Sequence, residues 1–271
     1  MDAVVERIRA KVARAKQHIQ DFQLGLRAFY DTNPYAVAFK EDVQAGKRVY
    51  YVAKVDPVPY QLTAVAADVI QNLRSPLDHI AYQLVLDARG GTEPNWDVYY
   101  PISGSATDYP ATRNGKIKGV RQEVVDAIDA TEPYKGGKGH ALWQLNELNK
   151  LDKHRLLIWA GCISSGIEIT PTLRDQMAKA LQRIPNSDAT RIDLSLFPPL
   201  FLRPADKSPL NMGDPLYIEP LDHEVHQDRS FTFDVSLHAP GVMECEPALK
   251  TFQDLTNLVD AVVTGLGKFL S

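Results

Sequence analysis

Cysteine is scarce in this chain: Cys162 and Cys245 are the only two among 271 residues. A secreted scaffold stapled by disulfides needs more cysteines at closer spacing, so that class is excluded. Buried reduced thiols are expected, with a Cys162–Cys245 bridge left open. Long apolar runs are also missing. No stretch approaches the ~20 residues of a membrane-spanning helix. The opening Met1-Asp2-Ala3-Val4-Val5-Glu6-Arg7 mixes charge with apolar residues and holds no signal-peptide core. The expectation is a cytoplasmic chain with no membrane partner. Nor is there a basic excess. Lys and Arg number 30 against 34 Asp and Glu, a net charge of -4, so no global field draws in nucleic acid. A serine nucleophile elbow, a dinucleotide fingerprint and a CxxC pair are all absent. The run Asp222-His223-Glu224-Val225-His226-Gln227-Asp228 lacks His-Glu-x-x-His spacing, so no metal and no other cofactor is expected.

What is present suits a globular α+β protein. Hydrophobic residues make up 44% and charged residues 24%, which leaves ample material for a core. Val5, Ile8, Val12, Ala15, Ile19, Phe22, Leu26 and Phe29 recur at steps of three and four, so they share one stripe of a long helix. Asn33-Pro34 ends it. Alternation over 35–55 predicts a β-hairpin turning at Gln44-Ala45-Gly46-Lys47. Helical spacing returns over 60–88 and stops at Arg89-Gly90-Gly91. A loop with short extended pieces is expected over 92–117, a short helix over 118–130, and a longer helix over 140–161. Strands are expected at 167–169, 191–197, 216–219 and 230–237, with a short helix at 172–184. Phe252, Leu255, Val259, Val262, Leu266 and Phe269 then mark a C-terminal helix that must pack on the others to be stable. The expected architecture is a bundle of four or five long amphipathic helices with a β-hairpin and a small antiparallel insertion. It forms one domain, 1–271, with helical parts at 1–162 and 248–271 and the β-rich insertion at 163–247. Trp143 and Trp159 are expected in the core.

Two helical segments carry polar residues where a simple bundle would not. On the 140–161 helix the stripe runs Leu145, Leu148, Asp152, Arg155, Trp159. Asp152 and Arg155, with Asn149 beside them, would therefore sit in the seam, and an unpaired charge there is very unfavourable. Two readings stand: a paired polar latch that fixes helix register, or a polar pocket with perturbed pKa values. The other segment is Asn72-Leu73-Arg74-Ser75-Pro76-Leu77-Asp78-His79. Ser75-Pro76-Leu77-Asp78 matches a capping box, so the helix is expected to bend or restart at Ser75. Arg74 and Asp78 can pair at i,i+4, and Arg74 and His79 flank the break. One reading is a solvated polar face. The other is a site in which His79 moves a proton and Arg74 stabilises an anion. The loop Lys135-Gly136-Gly137-Lys138-Gly139-His140 opens a helix and lacks a Walker ending; it reads first as a flexible loop, and otherwise Lys135 and Lys138, with His154, form a candidate anion-binding set.

The segment 72–84, together with Pro133-Tyr134-Lys135-Gly136-Gly137, Leu142-Trp143-Gln144-Leu145-Asn146-Glu147-Leu148 and Asp152-Lys153-His154-Arg155, resembles an uncharacterised family of bacterial and phage proteins. Those proteins carry a similar Asn-Leu-Arg-Ser-x-Leu-Asp-His helix and a downstream Asp-Lys-His-Arg. The likeness covers about residues 60–160 and brings no activity with it. The Arg74-x4-His79 spacing is also similar to the Arg-x(4–6)-His motif of HEPN helical-bundle proteins. That resemblance implies a metal-independent ribonuclease with RNA as partner and a site at a homodimer interface. Arg74 would stabilise phosphate and His79 would act as general acid and base, with Asn72 and Asp78 beside them. HEPN proteins usually place a polar residue just after the Arg; here Asn72 precedes it and Ser75 follows. The β-rich insertion and acidic net charge depart from a minimal HEPN domain. The competing expectation is a non-catalytic binding or assembly module in which Asp152 and Arg155 are a structural latch.

Overall fold

The apolar stripe of the first thirty residues forms helix α1 (Ala3–Asp31), and all eight of its members are buried. The computed structural model describes residues 3–155, 159–182, 200–202, 209–221 and 229–270. Asn33 ends the helix region at φ 50°, a left-handed conformation that Asn tolerates better than most residues. Strands β1 (Tyr35–Asp42) and β2 (Lys47–Val55) follow as an antiparallel hairpin with Phe39 opposite Tyr50. Gly46 takes φ 63° in its turn. Helix α2 (Tyr60–Ala88) buries Leu62, Ala66, Val69, Leu73, Leu77, Ile80 and Leu84. Short helices α3 (Tyr109–Lys116) and α4 (Gln122–Asp129) precede α5 (His140–Arg155). Then come β3 (Trp159–Glu168), α6 (Thr170–Gln182), β4 (Phe201–Leu202), β5 (Pro215–Pro220), β6 (Phe231–Ala239), β7 (Met243–Pro247) and α7 (Ala248–Gly267).

The chain divides into two compact units. The first comprises Met1–Ala28, Pro59–Ala160 and Leu237–Ser271; the second comprises Phe29–Val58 and Gly161–Ser236. In the first, α2 packs on α7 and α5. Phe22 of α1 meets Phe252 of α7 edge to face at 5.3 Å. In the second, β2 pairs antiparallel with β1 on one side and β5 on the other. A further sheet has the order β4-β3-β6-β7. No described helix is long and apolar enough to cross a membrane.

The α+β class stands, but the expected bundle of four or five long helices does not. Among the described residues only α1 and α2 reach 29 residues; α7 has 20, α5 has 16, and the remaining three have 13, 8 and 8. Pro and Gly punctuation over 89–139 allows only α3 and α4 there. The hairpin does not decorate a bundle, because β5 extends it into a three-stranded sheet. The expected 140–161 helix is described over His140–Arg155 and does not reach 161, because Trp159 starts β3. A short apolar run can form either helix or strand, and periodicity alone cannot separate the two. Helix α2 runs through Pro76 without restarting. Ser75 is no N-cap: its hydroxyl donates to the Gln71 carbonyl at 2.8 Å, and Asn72 donates to the Asp68 carbonyl. The expected strand at 191–197 and the run 222–228 lie outside the described residues.

Candidate functional site

Residues four apart on a helix share a face, and three such faces in the first unit enclose a cleft of about 370 Å³. Helix α2 supplies Arg74 and Asp78, α3 supplies Thr112 and Lys116, and α5 supplies Asn146, Asn149 and Lys150. The connection before α3 adds Tyr99, Tyr100 and Ile102. Alternation places Tyr100 in the core, 1% exposed, and turns Tyr99 outward, 45% exposed. Tyr100 is anchored at both ends. Its backbone N–H donates to Asp78 Oδ1 at 3.0 Å, and its hydroxyl bonds Thr131 Oγ1 at 2.9 Å. Burial pushes its phenol up to about 12. Helix α3 is fixed from its other side by Asp129 of α4, which accepts from Tyr109 Oη at 2.7 Å and from Arg113 Nη1. Burial, and then the bond to Asp129, raise the Tyr109 phenol well above its ordinary range.

At the base of the cleft, Arg74 Nε donates to Asn146 Oδ1 at 3.0 Å and Nη1 to Asp78 Oδ1 at 2.5 Å. Asn146 Nδ2 and Lys150 Nζ both donate to Glu147 Oε1, at 3.1 and 2.7 Å. Arg74, Asn146 and Asn149 are only 7%, 9% and 8% exposed. Several polar groups here are left open. Among the described residues Arg74 Nη2, Asp78 Oδ2 and the whole Asn149 amide have no hydrogen-bond partner. Lys116 Nζ lies over the Tyr99 ring, 4.8 Å from its centroid, with no carboxylate beside it among the described residues.

No family model, no curated protein and no solved structure matches the chain. The cleft must therefore be read from its own residues. Of the sequence-derived candidates it gathers Arg74, Asp78 and Asn149. His79 is exposed and outside the lining, and Asn72 is turned to its own helix backbone. Lys135 stands over the Trp143 ring at 4.9 Å, and Lys138 pairs with Glu132 at 3.0 Å. That pairing lifts the Lys138 ammonium and lowers the Glu132 carboxyl. The glycines beside them serve close packing. A Cβ at Gly137 would come within 2.5 Å of the Glu132 carbonyl oxygen, and one at Gly139 within 2.4 Å of that of Thr131. Asp152 is half-buried and has interactions of its own. The side chains of His154 and Arg155 lie outside the described residues. Sequence reasoning missed Tyr99, Thr112, Lys116, Asn146 and Lys150. The signal on α5 was present: Asn146 and Asn149 interrupt the buried Leu142, Leu145 and Leu148.

The second unit holds another buried polar cluster that sequence reasoning missed. Arg48 lies opposite Glu41 on β1 and Glu219 on β5. Glu219 is 1% exposed and accepts from Arg48 Nη1 at 2.9 Å, Tyr50 Oη at 2.9 Å and Arg229 Nη2 at 2.7 Å. Arg229 also donates to the Glu168 carbonyl at 3.1 Å and stacks over Tyr217. Burial works against the charge on Arg48, yet its bonds to Glu219 and Glu41 hold its pKa above the ordinary value. Burial, and then the bond to Glu219, raise the Tyr50 phenol. The available signal was period-two placement of Arg48 with Tyr50 and Val52 on one strand face.

Proposed function

We propose that this protein is a non-catalytic binding module whose α2–α3–α5 cleft holds a small polar ligand. The observation that carries this reading is Asn149. It is more than nine-tenths buried and lines the cleft, and its amide has no partner among the described residues. Its amide atoms are not sealed from solvent; they open to the cleft, where a ligand or ordered water can complete their hydrogen bonding. Arg74 supports the same reading. Asp78 and Asn146 hold its guanidinium in one orientation while Nη2 stays open. A group positioned this way binds without first having to be ordered.

The ribonuclease reading would need Arg74 and His79 to converge. Five residues along a helix rotate a side chain by about 140°, and His79 accordingly lies outside the cleft that Arg74 lines. Binding is therefore the better-supported function. A thermal-shift screen of small anions and neutral analogues tests it. Saturable stabilisation is expected in the parent chain and is lost in Arg74→Met and Asn149→Ala. Stabilisation that survives both changes would move the site elsewhere. RNA incubated with the protein in EDTA should stay intact; cleavage abolished by His79→Ala would restore the nuclease.

A further inference from the structure

We infer that the cleft selects a monoanion, and that its ligand is a small ring carboxylate bearing a hydroxyl donor. This rests on the binding reading above and adds the ligand's charge and chemistry.

The charge follows from the pairing. Three cations line the cleft: Arg74, Lys116 and Lys150. Asp78 neutralises Arg74 at 2.5 Å, and Glu147 neutralises Lys150 at 2.7 Å. Lys116 has only the Tyr99 ring beside it among the described residues. The cleft is thus one positive charge in excess. A monoanion balances it. A phosphomonoester, close to doubly charged near neutral pH, would bring one negative charge too many beside Asp78. A neutral ligand would leave Lys116 uncompensated.

The hydrogen-bonding pattern narrows the class. Arg74 Nη2, Asn149 Nδ2 and Lys116 Nζ are donors with open capacity, suited to the two oxygens of a carboxylate. Asp78 Oδ2 and Asn149 Oδ1 are open acceptors. Both face the cleft, and the Asp78 side chain is 25% exposed; a ligand built of acceptors alone would displace their water and leave them unmatched, so a site of this kind favours a ligand carrying a hydroxyl. The exposed Tyr99 ring and Ile102 give the cleft an apolar flank on which a flat ring can lie. At about 370 Å³ the space sits near the lower end of ligand pockets, which suits one small molecule.

Isothermal titration calorimetry at pH 7.5 with five probe types decides this: benzoate, its three hydroxy isomers, 4-hydroxybenzamide, phenyl phosphate and phenol. At least one hydroxybenzoate isomer should bind about tenfold more tightly than benzoate, the benzamide, phenyl phosphate or phenol. In Lys116→Met that preference over the neutral benzamide should vanish, while Lys116→Arg should keep it. Lys116 is partly exposed on a short helix, so both variants are expected to fold, and circular dichroism checks this. Tighter binding of phenyl phosphate, or equal binding of the benzamide, overturns the monoanion rule but leaves the cleft a binding site. Benzoate binding as tightly as every hydroxy isomer overturns the hydroxyl requirement. If no probe binds, the binding reading fails with it.

Discussion

The two units each bury a small network of charge, and the two networks are finished differently. In the second unit Glu219 receives three donors, from Arg48, Tyr50 and Arg229, and the aromatic rings of Tyr50 and Tyr217 close over Arg229. In the first unit Arg74 and Asn149 are 7% and 8% exposed and the Asp78 side chain 25%, and each keeps hydrogen-bonding capacity open toward a cleft. The second-unit network is closed to water throughout, even at Arg229 Nε, which is buried with no hydrogen-bond partner among the described residues. The first-unit groups instead open to a cleft, where water or a ligand can complete them. Buried charge alone therefore does not mark a site here; the proposed binding role rests on polar capacity that opens to a cleft.

The contrast is broken most strongly at Glu219. Glu219→Gln should lower unfolding free energy by on the order of 3 kcal/mol, because Arg48 and Arg229 lose their shared counter-charge inside the unit. Urea denaturation measures this, and ligand binding to the folded variant should be unchanged. Arg74→Met should cost less, about 1–3 kcal/mol, while removing ligand binding altogether. A smaller effect on stability is expected at Asn149. Replacing it by Ala should change unfolding free energy by less than about 1 kcal/mol, since no protein hydrogen bond is lost, while weakening the ligand about tenfold. A large destabilisation by Asn149→Ala would mean that the amide serves the fold after all.

Alkaline pH tests how tightly the cleft wall is packed. The Tyr100 phenol, raised to about 12 by burial, stays protonated in the folded chain where its ordinary value of 10.0 has already been passed. The folded state then holds more protons than the unfolded one, so stability is intact below about pH 10 and falls as pH rises through about 12. Tyr100→Phe should remove that part of the slope, read from denaturation curves at stepped pH. The smallest effect is expected at His79, which is exposed. His79→Ala should leave both stability and ligand affinity where they were.

Much of the framework was legible because burial follows periodicity. All eight stripe positions of α1 are buried, as are Phe252, Leu255, Val259, Val262 and Leu266 of α7, while Phe269 is only half-buried. The hairpin was legible from alternation. The cleft was legible only in part. Arg74, Asp78 and Asn149 stood out as polar residues on apolar helices. Lys116 and Thr112 did not, because α3 reads Tyr-Pro-Ala-Thr-Arg-Asn-Gly-Lys and local propensity argues for a loop. Its helical form depends on the Asp129 contacts from α4, which lie 16 and 20 residues away along the chain. Glu219 was hidden for a similar reason: its partners Arg48 and Arg229 meet it only through strand pairing and the packing of distant segments.

The most direct test of the open-versus-closed distinction is a two-dimensional ¹H–¹⁵N spectrum recorded through a hydroxybenzoate titration, with the Asn149 side-chain amide and the Arg Nε resonances assigned. The account predicts that Asn149 and Arg74 shift together and saturate, while Arg48 and Arg229 stay fixed. Saturable shifts at Arg48 and Arg229 with none at Asn149 and Arg74 would contradict it.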